Sequence, residues 1–336
     1  MESDLETLLA CPLHRGPLRR DGGFLRCTEG CAYPVFGAVP FLLPREIHHT
    51  HGGIAAESFA LADRIAVGAA NVDDGAGGAD IDAFVQRMVG NTNSQLYRSA
   101  IGGLIRYPIP ALPLPPAQPG ERLLDIGSGW GRWSFAAAQA GYRAVGLDPS
   151  LEAALAASRI VRQLGLDASF VVGDSRFMPF RPQIFSKAFS YSVLQHFAKE
   201  DVRATLRSLA PALRPGGVAK LHLLNRYGLR SLQVQLSHFW RAARGFETRY
   251  WGPREMLRDF VSLLGPSTLE IDGFFVQGRY EDRALFKPHH RFLVEASQAL
   301  KMAARGMPML KYVADNLFVS STVASGRPVQ PAPSRA

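Results

Sequence analysis

Residues 121–133 read ERLLDIGSGWGRW: an apolar run ends in an acid, Asp125, and glycines follow at 127, 129 and 131. Glycines there let the chain turn tightly and let a ligand lie close to the backbone. Two more acids stand where later apolar runs end, Asp148 in VGLDPS and Asp174 in VVGDSRFMPF. An acid at the end of a second strand can accept hydrogen bonds from both hydroxyls of a ribose, the role open to Asp148. One at Asp174 can accept from an adenine amino group, and Asp125 suits a cationic amine or a sulfonium. Three carboxylates at successive strand ends make a poor pocket for pyrophosphate. They suit an adenosine that carries a positive charge. The spacing G-x-G-x-G also departs from the dinucleotide fingerprint G-x-G-x-x-G, which argues against a nicotinamide dehydrogenase.

A second constellation lies at the N-terminus. The three cysteines of the chain, Cys11, Cys27 and Cys31, fall there with His14, as Cys11-x-x-His14 and Cys27-x-x-x-Cys31. An odd, clustered count does not make a secreted disulfide framework. Sulfur and imidazole in two pairs suit tetrahedral zinc, closed by four protein ligands. A third candidate is His196 in SYSVLQHF, placed just past a strand where an acceptor would approach, as a general base or as a loop-fixing residue. Tyr191 can position cofactor or acceptor through its hydroxyl. His222 in AKLHLLN reads as a sheet-end histidine.

These residues need a scaffold that brings strand ends together. From 121 onward, short apolar runs (RLLDI, YRAVGLDP, ASFVVGDS, IFSKAFSYSV, GGVAKLHLL) alternate with helical patterns, and Ser150 stands where it would cap one helix. That rhythm predicts an α/β fold with a doubly wound parallel sheet. Strand patterns return at STLEIDGFFVQG and NLFVSSTVAS after an insertion at 225–265. Residues 5–44 read as short strands and turns rather than helices, 46–90 as a flexible linker with a mobile GAANVDDGAGGAD, and 326–336 as a disordered tail.

With these pieces in order, residues 121–225 resemble class I S-adenosylmethionine-dependent methyltransferases of the type 11-like group. The matching segments are LLDIGSGWG, VGLDPS, VVGDSRFMPF, FSYSVLQHF and LRPGGVAKLHL. The resemblance implies a seven-stranded Rossmann-like sheet within a domain spanning 91–325. It implies that Gly127, Gly129 and Gly131 line the methionine portion, that Asp148 binds the ribose, and that Asp174 and Ser175 flank the adenine. Met178 and Phe180 match the family's LPF-like loop. Trp130 and Trp133 depart from the family pattern: Trp133 is expected in the core, and Trp130 either in contact with cofactor or acceptor or shielding them. In NTNSQLYRS, Tyr97 and Arg98 could reach the methionine carboxylate, although a plain packing helix is the stronger expectation. Residues 1–45 resemble the Trm112-like zinc-ribbon family through LACPLHRGPL and LRCTEGCAYPVFGAVPFLLP, with His14 where a cysteine is usual. None of the expected cofactor ligands precedes residue 90, so the methyltransferase domain is expected to bind its cofactor without the ribbon.

Composition bounds the rest. Hydrophobic residues are 47% and charged residues 20%, as in globular chains, and the net charge is +9. No signal peptide or long apolar run is visible, so the expected compartment is cytoplasmic. The insertion interleaves arginines with Phe239, Trp240 and Trp251, which suits an anionic, lipid-linked or nucleic-acid acceptor and peripheral membrane contact. The reading is a methyltransferase acting on a small-molecule or lipid- or carrier-linked acceptor. Two alternatives stay open: an RNA or protein methyltransferase that uses the ribbon for recognition, and a cofactor-binding module without catalysis.

Overall fold

The structure, a computed structural model, describes residues 2–73 and 80–324. The expected tail at 326–336 and residues 74–79 of the stretch GAANVDDGAGGAD lie outside the described residues.

The N-terminal block opens with a helix, α1 (Glu2–Leu8), where strands and turns alone were expected. Its signal is Leu5, Leu8 and Leu9, three or four residues apart and all buried. Four short strands follow: β1 (Leu18–Asp21), β2 (Phe24–Cys27), β3 (Ala32–Phe36) and β4 (Val39–Pro40), paired antiparallel in that order. Residues 46–90 are not a plain linker. They hold α2 (Gly52–Ala66) and the greater part of α3 (Ala83–Thr92). Helix α2 is tied down by Ser58, whose hydroxyl donates to the Pro149 carbonyl and accepts from the Leu151 amide.

The main sheet begins with β5 (Arg122–Ile126). It continues through α4 (Arg132–Gln139), β6 (Arg143–Asp148), α5 (Leu151–Leu164), β7 (Ala168–Val172), β8 (Phe185–Ser190), α6 (Lys199–Ala212) and β9 (Leu213–Leu224). Ser150 caps α5 as expected, accepting from the Ala153 amide at 3.3 Å, and Gly165 ends that helix in the left-handed region at φ 62°. The insertion carries α7 (Leu229–Ser237) and α8 (Pro253–Leu263); β10 (Ser267–Gly273), α9 (Pro288–Ala303) and β11 (Asn316–Thr322) complete the fold. Strand order is β10-β11-β9-β8-β5-β6-β7, the expected seven strands. Pairs among β5 to β9 are parallel, while β11 runs antiparallel to both β9 and β10. The chain winds outward from β5 to β7, then returns to place β8 beside β5. Ligands in such sheets bind beyond the carboxyl ends at that switch point.

The N-terminal block is part of this core. Leu9 bridges to Phe180, Phe41 bridges to Val172 at the open edge of β7, and the Leu42 amide donates to the Val172 carbonyl at 2.8 Å. Leu5, Leu9, Leu25 and Tyr33 share one apolar cluster with Met178, Phe180 and Leu147. Burying a side chain of this size contributes about 1.5–3 kcal/mol. Deleting residues 1–44 would strip the cover from Met178 and Phe180, which are 0% and 5% exposed. The truncated chain is expected to melt about 10 °C lower or more, or to aggregate. An unchanged melting temperature would make the block a mere appendage.

Candidate active site

The glycine turn is built by close approach. The amides of Gly127 and Ser128 both donate to the Leu147 carbonyl, at 2.8 and 3.2 Å, fixing the turn to the end of β6. Gly127 has φ 75°, and a Cβ there would lie 2.3 Å from Val193, on the loop after β8. Gly129, at φ 51°, faces open space, and its amide donates to Asp148 Oδ2 at 2.8 Å. Asp148 Oδ1 accepts from the Ser150 amide at 2.9 Å. Each oxygen of Asp148 thus holds one backbone donor and keeps a lone pair. A cleft of about 1740 Å³ opens here, with Gly127, Gly129, Asp148, Asp174 and Ser175 in its wall.

Other expected site residues are not in that wall. Asp125 is 1% exposed; its Oδ2 accepts from the Ser134 hydroxyl at 2.7 Å, and its Oδ1 has no partner. Burial, reinforced by the charge of Asp148 and opposed by Ser134, raises its carboxyl from 3.8 to about 7. Gly131 is the left-handed start of α4, packed where a Cβ would meet the Phe135 ring at 2.6 Å. Tyr191 donates to Asp272 at 2.7 Å inside a buried group with Arg279, and the ring of His222, 0% exposed, lies tilted against that of Tyr191 at 4.5 Å. Trp130 is core rather than cleft: it is 1% exposed and its indole donates to Asn93. Trp133 is core as expected. Tyr97 is 0% exposed and donates to Asp282, itself paired with Arg132 at 2.8 Å, and Arg98 is exposed.

Asp174 reaches the cleft but is heavily engaged. Its carboxylate takes the side chain of Arg176 at 2.7 Å and lies 3.7 Å from His49 Nδ1. Burial alone would raise its carboxyl; His49 and Arg176 outweigh that and hold it near 2. Arg176 also donates to the His48 carbonyl. Residues 48–51 are thereby laid over the cleft, and His49, Thr50 and His51 line it. The expected cofactor ligands all follow residue 90, yet His49, Thr50 and His51 stand in the cleft wall beside them. The signal was the polar run HHTH, but its contact with Arg176 spans 128 residues. His49, Thr50, Asn93 and Asn316 all line the cleft and each has a buried polar atom without a protein partner. Such atoms are costly unless a ligand or water meets them.

His196 also lines the cleft, and His51 of the 48–51 strap packs on the same Phe246 ring. His196 Nδ1 is 2.8 Å from the Phe246 carbonyl, its Nε2 is 3.2 Å from the Gln195 amide nitrogen, and its ring stacks on Phe246 at 4.2 Å. This geometry makes Nδ1 the donor. Burial, with the neighbouring Arg249 and His51 adding to it, lowers the ring's value to about 4. Arg249 donates to the carbonyls of His196, Gly245 and Glu247. Arg226, Arg230, Trp240 and Tyr250 continue the same wall.

Residues 123–217 match the family model described as "Methyltransferase domain". This stretch is a methyltransferase domain. A probable fatty acid methyltransferase of Mycobacterium tuberculosis is 30% identical over 136 residues, a match that spans 40% of this chain and 30% of that protein. Among solved structures, a chain from the complex of the Haloferax volcanii Trm112 methyltransferase activator with a methyltransferase is 18% identical, with a TM-score of 0.44. The match covers 73% of this chain and 96% of that one. The phosphoethanolamine N-methyltransferase 2 of Haemonchus contortus, bound to S-adenosyl-L-methionine, is 16% identical with a TM-score of 0.43, covering 62% of this chain and 50% of that one.

Beside the methyltransferase domain, the four N-terminal ligand candidates converge. The ligating atoms of Cys11, His14, Cys27 and Cys31 lie within 4.8 Å of one another. His14 Nδ1 is 3.7, 3.6 and 3.4 Å from the sulfurs of Cys11, Cys27 and Cys31. A zinc tetrahedron has sulfur–nitrogen edges of about 3.6 Å, so this donor set fits zinc. The His14 amide and the Tyr33 hydroxyl lie near the Cys11 sulfur, at 3.5 and 3.3 Å, as supporting contacts.

Two outcomes follow for the domain and its ribbon. A raised carboxyl at Asp125 means that the folded state keeps a proton the unfolded chain has lost. That stabilisation is full below about pH 4 and vanishes as pH rises through 7. Asp125→Asn, neutral throughout, is expected to melt close to wild type near about pH 4 and above it near about pH 8.5. A melting difference that does not change with pH would contradict the buried, protonated state. Elemental analysis of the purified protein is expected to give about one zinc per chain; metal-free protein after zinc-supplemented expression would leave a ribbon held by its apolar core alone.

Proposed function

We propose that this protein is an S-adenosylmethionine-dependent methyltransferase whose acceptor is a small or lipid- or carrier-linked molecule with an anionic end. The observation that carries it is the single cleft joining the glycine turn and Asp148 to a wall of arginines and aromatics. S-Adenosylmethionine, when bound, supplies a methyl group on a sulfonium leaving group. Asp148 holds the ribose through its free lone pairs, the Gly129 backbone gives room beside it, and His49, Thr50 and Asn93 meet the remaining polar atoms. Zinc would be held by Cys11, His14, Cys27 and Cys31 as a closed, structural site.

The acceptor half of the site orients and desolvates more than it deprotonates. His196, held neutral with Nε2 already beside Gln195, is a weak proton acceptor. An oxygen that arrives ionised needs no base, and Arg226, Arg230 and Arg249 form no ion pair among the described residues. The likeness to a probable fatty acid methyltransferase favours the same acceptor class. So does the tip after α7, where Phe239 and Trp240 are 91% and 54% exposed, side by side in left-handed backbone at φ 50° and 56°. Aromatics beside arginines suit the surface of an anionic lipid layer. The ribbon's apolar face is already spent on the Met178–Phe180 segment, which weakens the reading of it as a recognition module for RNA or protein.

Calorimetry tests the cofactor: S-adenosylhomocysteine is expected to bind and NAD is not. Asp148→Ala should weaken the former by about tenfold or more, the scale of a hydrogen bond to a charged group. Transfer of labelled methyl is expected with fatty acids or anionic lipid vesicles. Label recovered solely in RNA or protein would refute the acceptor, and NAD binding without S-adenosylhomocysteine binding would refute the cofactor.

A further inference from the structure

Arg15 directly follows a candidate metal ligand and binds groups 163 and 193 residues further along the chain. Its backbone is left-handed, φ 60°, uncommon for a residue with a side chain, and its amide donates to the Cys11 carbonyl at 2.8 Å. The knuckle that joins Cys11 to His14 therefore sets where the guanidinium points. Nη1 donates to the Met178 carbonyl at 2.6 Å and Nη2 to Ser208 Oγ at 3.1 Å, while Ser208 Oγ accepts from the Met178 amide at 2.9 Å. Both backbone polar groups of Met178 are thus held by this pair. Met178 ends a single 3₁₀ turn, Ser175–Phe177, that Asp174 begins, and Gly173, Asp174 and Ser175 are cleft wall.

We propose that Arg15 is a positioning residue for the cofactor: it couples the Cys3His knuckle to the Asp174–Met178 loop and holds the adenine side of the cleft in its binding geometry. The inference rests on the cofactor reading above. Arg15 forms no ion pair with a carboxylate among the described residues; three thiolates and one imidazole on zinc would carry one negative charge beside it. The arm is short and buried at its far end, where Met178 is 0% exposed, so water does not readily replace the lost donor.

The test uses the full, zinc-loaded chain and reads S-adenosylhomocysteine affinity, zinc content and melting temperature together. Arg15→Ala is expected to weaken binding about tenfold while keeping about one zinc per chain. Arg15→Lys, which can still donate to the Met178 carbonyl, should recover most of that loss. Ser208→Ala removes the other half of the clamp on α6, which carries none of the metal ligands, and should also weaken binding, whatever happens to zinc in the Arg15 variants. Wild type that binds alongside Arg15→Ala and Ser208→Ala variants of unchanged affinity, even at lower melting temperature, overturns this proposal alone. Wild type that fails to bind overturns the cofactor reading with it.

Discussion

The approach of two loops at the switch point sets the rest of this structure. With β5 and β8 side by side, the turn after β5 must pass Val193 at a distance no side chain at 127 allows. A left-handed glycine solves that, and the same turn leaves Gly129 facing open space with its amide aimed at Asp148. The cleft exists because the backbone, rather than side chains, occupies the centre of the sheet's carboxyl edge.

Around that edge the polar groups divide by what they already hold. Asp125 is enclosed with Ser134, Asp174 is saturated by Arg176, and Asp148 alone of the three keeps free acceptor capacity toward the cleft. Unpartnered buried atoms that line the cleft sit on His49, Thr50, Asn93 and Asn316 among others. The cleft wall is therefore drawn from segments before and within the sheet, and the strap at 48–51 brings the N-terminal region into it.

The arginines divide in the same way. The buried pairs of Arg132 with Asp282 and Arg279 with Asp272 are internally compensated and serve packing. In contrast, Arg226, Arg230 and Arg249 stand at the cleft among exposed aromatics. Positive charge without carboxylate partners among the described residues, beside apolar surface, supports the proposed amphiphile with an anionic head.

The local chemistry was legible in the sequence. Alternation of apolar runs and helical periods gave the strand and helix order, Ser150 gave a cap, glycine spacing gave the turn, and the Cys11/His14 and Cys27/Cys31 pairs gave a donor set. Each depends on neighbours a few residues apart, where backbone geometry follows from residue type. Which acids stay free, which aromatics are core, and that residues before 90 help build the cleft were decided only by the tertiary structure. Those outcomes turn on contacts such as Arg176 with His48, 128 residues apart, and Arg15 with Met178, 163 apart. No local pattern encodes them, because a carboxylate's availability depends on which distant donor packing delivers to it.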